Sequence, residues 1–338
     1  MSRIRKGCLG LFLIGCFFLL SGCWNQIEVD QLAIVTAIGL DKNKDGKIQF
    51  SAEIVAPREV AGGGGGGQQS SGGRGSGYQK IVRSASGETL ASAIENLQEK
   101  VPRKIFLGQT EVVVIGEALA RSGFRGQLDY LSREPESRLN LYPFVCKGKA
   151  RDILQIAPTL ETQLSNVLAN ESDFERKRRM TLNDLLQELG RPEETAVIPW
   201  VQMTAAQSFP YIKGEAILKK GKLIATTGKK GTKGLSWLRN DLSETNIDVN
   251  LGSKGKVSLD LVRSNARFIP AIKNGKWMMD IQIQTVDDLV QNTTTKNTSN
   301  LKINKLIQKK AAEKIKKIVN RVIQKAQKRW KADALGFG

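Results

Sequence analysis

Cys23 offers the clearest covalent chemistry in the chain. It ends the tetrapeptide Leu20-Ser21-Gly22-Cys23, just after the uncharged run Cys8–Leu20 (CLGLFLIGCFFLL) and just before Trp24. Arg3, Arg5 and Lys6 precede that run. A positive start followed by a short apolar core is a secretory signal, too short for a permanent membrane-spanning helix. Two small residues before a cysteine make its end a lipobox. At such a site the thiol becomes an S-diacylglyceryl thioether, the Gly22–Cys23 bond is cut, and the freed amine of Cys23 is acylated. One acyl chain binds a membrane marginally at ~0.8 kcal/mol per methylene, and two or more hold it. The expected mature protein begins at Cys23, outside the cytoplasm and tethered to a bacterial membrane.

Other reactive groups are scarce. The 338 residues contain no histidine, which removes Ser-His-Asp catalysis, Cys-His catalysis and every His-based zinc site. Cys8 and Cys16 leave with the signal and Cys23 carries lipid. Cys146 therefore has no intramolecular disulfide partner and reads as a buried, inert thiol in an apolar strand. Asp41-Lys-Asn-Lys-Asp-Gly46 has the opening of a calcium-binding EF-hand loop. The twelfth position, where a bidentate Glu is needed, is Ala52, so a plain turn is expected and no metal site. Glu134 with Glu136, and Asp287 with Asp288, are candidate pairs for acid–base catalysis, but solvated loop charges explain them far better.

The formal charge of +19 drops to +16 when Arg3, Arg5 and Lys6 leave with residues 1–22. A basic exported chain suits anionic headgroups, wall polyanions or an acidic partner rather than nucleic acid. Residues 62–77 (GGGGGGQQSSGGRGSG) hold ten glycines and no apolar side chain, which predicts a mobile loop and no phosphate cradle.

These features must be carried by ordinary elements. Leu32–Leu40 and Ile48–Val55 read as a hairpin turning at Asp45-Gly46, with a further strand over Tyr78–Ser84. Helical spacing covers Thr89–Lys100, Gly116–Ser122, Arg125–Arg133, Gly148–Ile156, Thr159–Leu168 and Leu182–Leu189, with strands at Glu111–Ile115 and Leu139–Cys146 between them. Arg191–Glu194 reads as a linker. Beyond it, strands are expected at Ala216–Leu218, Leu223–Thr226, Val257–Val262, Phe268–Ile272 and Trp277–Val286, the last two joined by the Asn274-Gly275 turn. A basic amphipathic helix over Leu301–Lys331 carries ten Lys and two Arg against Glu313, with an apolar stripe from Ile303 to Trp330. Packing on the preceding strands explains it better than membrane or partner binding; contact with anionic lipid or an acidic loop of a partner is the secondary reading. The fold class is α+β, with mixed and antiparallel sheets covered by helices: signal peptide 1–22, an N-terminal region 23–200, and a second antiparallel-sheet domain 205–338 with the long terminal helix.

Cys23-Trp24 together with Glu28–Asp41 (EVDQLAIVTAIGLD) strongly resembles the Ger(x)C family, the lipoprotein C subunits of nutrient germinant receptors in spore-forming Firmicutes. Further matching stretches are Phe106–Glu117 (FLGQTEVVVIGE), Arg133–Arg138 (REPESR), Lys147–Leu154 (KGKARDIL), Gly214–Lys219 (GEAILK), Lys233–Leu238 (KGLSWL) and the ending Arg329–Gly338. The resemblance implies a non-enzymatic subunit without cofactor, lipidated on Cys23. It would sit on the outer face of the inner spore membrane beside two integral membrane subunits, A and B, and help to start germination. Gln109 stands where relatives often hold His. Relatives also usually run on past the position of Gly338 into a further strand, so the resemblance implies a truncated C-terminal domain with an exposed sheet edge. Two rivals share the lipobox. A solute-binding lipoprotein of an importer would need two doubly wound lobes, which the hairpins of the second half oppose. An exported wall-active hydrolase would need a working carboxylate pair.

Overall fold

The computed structural model describes residues 28–57, 78–156, 164, 166–168, 179–204, 209–242, 245–252 and 255–335. The signal segment, Gly22, Cys23, the glycine-rich 62–77 stretch, most of the helix expected at 159–168 and the last three residues lie outside them. The architecture is α+β, as the residues predict.

A nine-stranded mixed sheet forms the body. Its strands are β1 (Leu32–Lys42), β2 (Ile48–Pro57), β3 (Tyr78–Gly87), β4 (Lys104–Phe106), β5 (Val112–Gly116), β6 (Tyr142–Cys146), β7 (Thr195–Met203), β8 (Pro210–Lys219) and β9 (Lys222–Thr226). Their order is β3-β2-β1-β5-β6-β7-β8-β9, with β4 paired to the start of β1. The outer strands on both sides are antiparallel hairpins, while β1, β5, β6 and β7 run parallel. Parallel central strands are covered on both faces, and β5 (VVVIG) is accordingly buried at every position.

Alternation along the strands sorts two cores. Ile38, Leu40, Val113 and Ile115 face α1 (Leu90–Gln98), α2 (Glu117–Ser122), α3 (Arg125–Arg133) and α5 (Leu182–Gly190), which contribute Leu97, Leu119, Leu128 and Leu185. Ala37, Val112, Val114, Phe144 and Cys146 face the opposite side, toward α4 (Ala150–Leu154). Thr89 caps α1 by accepting from Ser92 N at 3.2 Å while the Ser92 hydroxyl accepts from Thr89 N at 3.0 Å. Thr181 and Asp184 do the same for α5.

A second body holds the antiparallel sheet β10 (Asn246–Asn250), β11 (Lys256–Lys273) and β12 (Lys276–Asn292), with α6 (Lys229–Arg239) and α7 (Leu301–Lys325). Its core joins Ile307, Ala311, Ile315, Val319 and Val322 of α7 to Leu235 and Leu238 of α6 and to Val257 and Leu259 of β11. Val197 of β7 and Ile217 of β8 belong to it too, so it packs on the far end of the main sheet, on the face opposite α1. β7 and β8 pair across residue 205, so the main sheet runs past the boundary expected there while the apolar cores divide.

The structure departs from expectation most clearly in four places. Thr195–Met203 is a strand within the main sheet. Lys229–Arg239 is a helix although it contains two glycines; Gly234 lies against α7 so closely that a Cβ would overlap Val322 Cγ2 and stand 3.2 Å from Ile318 O. β11 is one strand of 18 residues rather than two short ones, continued through an irregularity between Leu261 and Arg263. The terminal helix gives way at Ala326–Trp330 to a π turn.

Candidate functional site

The positions that sequence reasoning singled out are not brought together. Asp41 lies at the end of β1, 3 % exposed, and turns its carboxylate away from the loop that follows. Oδ1 accepts from Ala150 N at 2.8 Å and Oδ2 from Arg151 N at 3.0 Å, so Asp41 caps α4 and is not oriented as a calcium ligand. Burial raises its pKa above the usual 3.8, outweighing the two backbone hydrogen bonds that lower it. Gly116 makes room for this, because a Cβ there would overlap Asp41 Oδ1. Asn43 is spent on Ser86 Oγ at 2.8 Å. Among the described residues no cluster of three or more His, Cys, Asp or Glu could hold a metal ion.

Glu134 accepts from the Tyr130 hydroxyl at 2.8 Å, and burial, reinforced by that carboxylate, pushes the phenol's pKa up to about 12. Glu136 pairs with Lys104 at 2.8 Å. Asp287 and Asp288 lie in the other body on β12, where Asp288 faces Asp260 across the ladder and Asp287 accepts from the Thr285 hydroxyl at 2.6 Å. The two carboxylate pairs share no cleft. Cys146 is fully buried in β6, and desolvation, with Asp41, Asp152 and Glu117 nearby, raises its pKa well above the ordinary thiol value. A protonated, enclosed thiol is a poor nucleophile. Gln109 sits exposed on a tight turn before β5.

Three surfaces stand out among the described residues. A polar cleft of about 440 Å³ lies at the seam of the two bodies, between α5 and the end of α6; Arg239 Nη2 approaches Glu188 Oε1 there at 3.7 Å. The solvent side of α7 is the lysine face, its apolar stripe being covered. Between α7 and β12 runs an apolar groove of about 1360 Å³. Sequence periodicity located α7 and the hairpin but could not show the groove, which exists only because the helix leaves part of the sheet bare.

Both halves of the chain match known families along nearly their whole length. Residues 25–203 match the spore germination protein N-terminal domain, and residues 213–338 match the spore germination B3/GerAC-like C-terminal domain. The chain belongs to the GerAC spore germination family. Among its GerAC relatives, "Putative spore germination protein YfkR" of Bacillus subtilis (strain 168) is 31% identical over 94% of this chain and 83% of its own length. "Spore germination protein KC" of the same organism is 27% identical over 99% of this chain and 87% of its own. The crystal structure of the GerBC protein superposes with a TM-score of 0.50 at 17% identity, covering 89% of this chain and 85% of that one, which supports the fold. Membership in the GerAC family makes spore germination the setting in which these surfaces act. Among the described residues no helix is long and apolar enough to cross a membrane.

Proposed function

We propose that the chain is the lipid-anchored, non-enzymatic C-type subunit of a nutrient germinant receptor, assembling with two integral membrane subunits on the outer face of the inner spore membrane. Family membership across both halves carries the reading. The lipobox at Gly22-Cys23 supplies the anchor. Cys23 lies nine residues before Leu32, where β1 begins, so the lipid is within ~30 Å of that end of the main sheet. Scattered carboxylates and a buried thiol fit a protein that works through its surfaces. Cys23→Ala should abolish fatty-acid labelling and leave the signal uncleaved; normal labelling in that variant would refute the anchor. Purification from spore membranes should recover the two multi-pass subunits. Recovery of a transporter permease would favour the solute-binding alternative.

The lysine face of α7 adds a second contact, with anionic headgroups. Lys302, Lys309, Lys310, Lys317 and Arg321 are exposed, and Lys314 is exposed while donating to Asp248 O at 2.7 Å. Binding to vesicles containing phosphatidylglycerol should fall steeply between low and high salt, because charges farther apart than ~10 Å are screened at 0.1 M. Salt-independent binding would refute it.

A further inference from the structure

Exposed apolar surface is concentrated in one place. Of the thirteen large apolar side chains exposed among the described residues, nine lie on β11 and β12, spread over both faces, and Trp277 on the groove face is 80% exposed. Trp277, Met279, Ile281, Ile283 and Leu289 of β12 line the groove, opposite Ile307, Ala311, Ile315, Val319 and Ile323 of α7. One helix covers only part of a three-stranded sheet, and β12 is the part left bare.

The charge pattern marks the groove as a protein contact. The helical sequence 301–331 carries ten Lys and two Arg. Yet its residues along the groove flank are Asn304, Gln308, Ala312, Asn320 and Gln327, with Lys316 the one basic group. Loss of charge next to Trp and Met is the compositional sign of an interface centre. Asp287 Oδ1, also lining the groove, is buried without a hydrogen-bond partner.

We propose that this groove receives an amphipathic α-helix of a partner protein, lying along α7 with an acidic polar side. The proposal rests on the reading that the chain functions by protein contacts. The floor of the groove is the face of β12, not its edge, so a strand added at the edge would leave Trp277, Met279 and Ile281 uncovered. From Asn304 to Gln327 the groove runs ~35 Å, the length of ~23 helical residues, and soft Met and Trp walls suit helix-in-groove recognition. Acidity is favoured by Lys316 on the flank and by Lys305 and Lys309 just outside the groove, each one heptad ahead of Ala312 and Lys316 on the same strip. A second copy of this chain is disfavoured, because it would bring one lysine-rich α7 against another.

The test uses the full-length chain in lipid nanodiscs and fluorescent 24-residue peptides. One has Leu and Ile at helical spacing with Glu on its polar side; a twin has Lys in place of Glu; a third has the first one's composition at strand alternation. The acidic helix should bind at least tenfold more tightly than the lysine twin in 0.05 M salt. Met279→Asp and Trp277→Ala should each weaken it about tenfold with unchanged circular dichroism. Equal binding of the two helical peptides would overturn the proposal, as would preference for the alternating peptide, which would indicate edge pairing. A dimer in sedimentation that Met279→Asp dissociates would assign the groove to a second copy and overturn it too. Because the readout is peptide binding, failure here leaves the Cys23 labelling and subunit-recovery tests untouched, and their failure leaves this one standing.

Discussion

The main sheet and the β11–β12 hairpin are built from similarly apolar strands but end differently. On the main sheet both faces are covered, so Phe50, Leu40 and Val113 are 0 % exposed and even Glu53 is enclosed. On the hairpin one face meets α7 only in part, and Ile272 and Trp277 on that face remain 61% and 80% exposed. The first region is finished as a stability core. Its counterpart keeps apolar surface that adds little to folding and is available to a partner.

The largest expected effects fall on the main sheet. Phe50→Ala should cost about 3–5 kcal/mol in urea unfolding, since the cavity has no solvent to fill it. Lys80→Met should cost a similar amount. Glu53 is buried, accepts from the Thr36 hydroxyl at 2.9 Å, and has Lys80 Nζ 2.7 Å from Oε2 as an ion pair; Lys80 also donates to Ile156 O at 2.6 Å. Removing the cation strands a buried charge, at about 3–5 kcal/mol. A loss below 1 kcal/mol in either variant would mean that the main sheet is no better enclosed than the hairpin.

Next comes Asp41, which ties β1 to α4. Asp41→Ala leaves the amides of Ala150 and Arg151 without their acceptor and should cost about 1–3 kcal/mol. Its pH behaviour distinguishes it from an ordinary surface cap. Burial raises the folded pKa above 3.8, so the folded state holds the proton more tightly than the unfolded state. The Asp41 contribution is then fully present below pH 3.8 and declines as pH rises from there through the folded value. Asp41→Asn should flatten that part of the stability–pH curve, and an unchanged slope would show that the carboxyl is effectively solvated.

How much of this contrast could be read from the residues depends on the element. Leu32–Leu40 and Ile48–Val55 alternate and are joined by Asp-Gly, and the hairpin β1–β2 follows, with Gly46 at φ 88°. Asn274 and Gly275 adopt φ 53° and 71°, the paired positive values that Asn-Gly predicts. Thr195–Met203 was hidden by Pro199, a residue that demotes a strand. The structure accommodates it because β6 pairs only with Trp200 and Val201 of that strand. Lys229–Arg239 was hidden by Gly231 and Gly234, whose low helix propensity is overridden by close packing, Gly231 on Thr227 and Gly234 on α7. The lipobox reading of Cys23 rests on its sequence neighbours alone. The groove was not, because an apolar position on β12 looks the same whether a helix covers it or stops short.

Gly234→Ala probes the join between the second core and α7. A methyl there displaces Val322 and crowds the Ile318 carbonyl, and overpacking of this kind costs about 1–3 kcal/mol. Pairing it with Val322→Ala should recover part of the loss, a coupling readable in a double-mutant cycle. Strict additivity would place α6 and α7 farther apart than described.

The smallest effect is the one that separates the regions most sharply. Trp277→Ala removes the largest side chain of the hairpin tip, yet at 80% exposure its loss should change unfolding free energy by less than about 0.5 kcal/mol. Phe50→Ala removes a smaller ring and costs several times more, so size alone does not set the ranking; enclosure does. If Trp277→Ala proved as costly as Phe50→Ala in the isolated chain, the indole would already be packed in solution and no apolar surface would be left at the tip for another protein. A negligible cost, with the indole emission of the wild-type chain near that of a water-exposed tryptophan, keeps the hairpin as surface held open rather than core left unfinished.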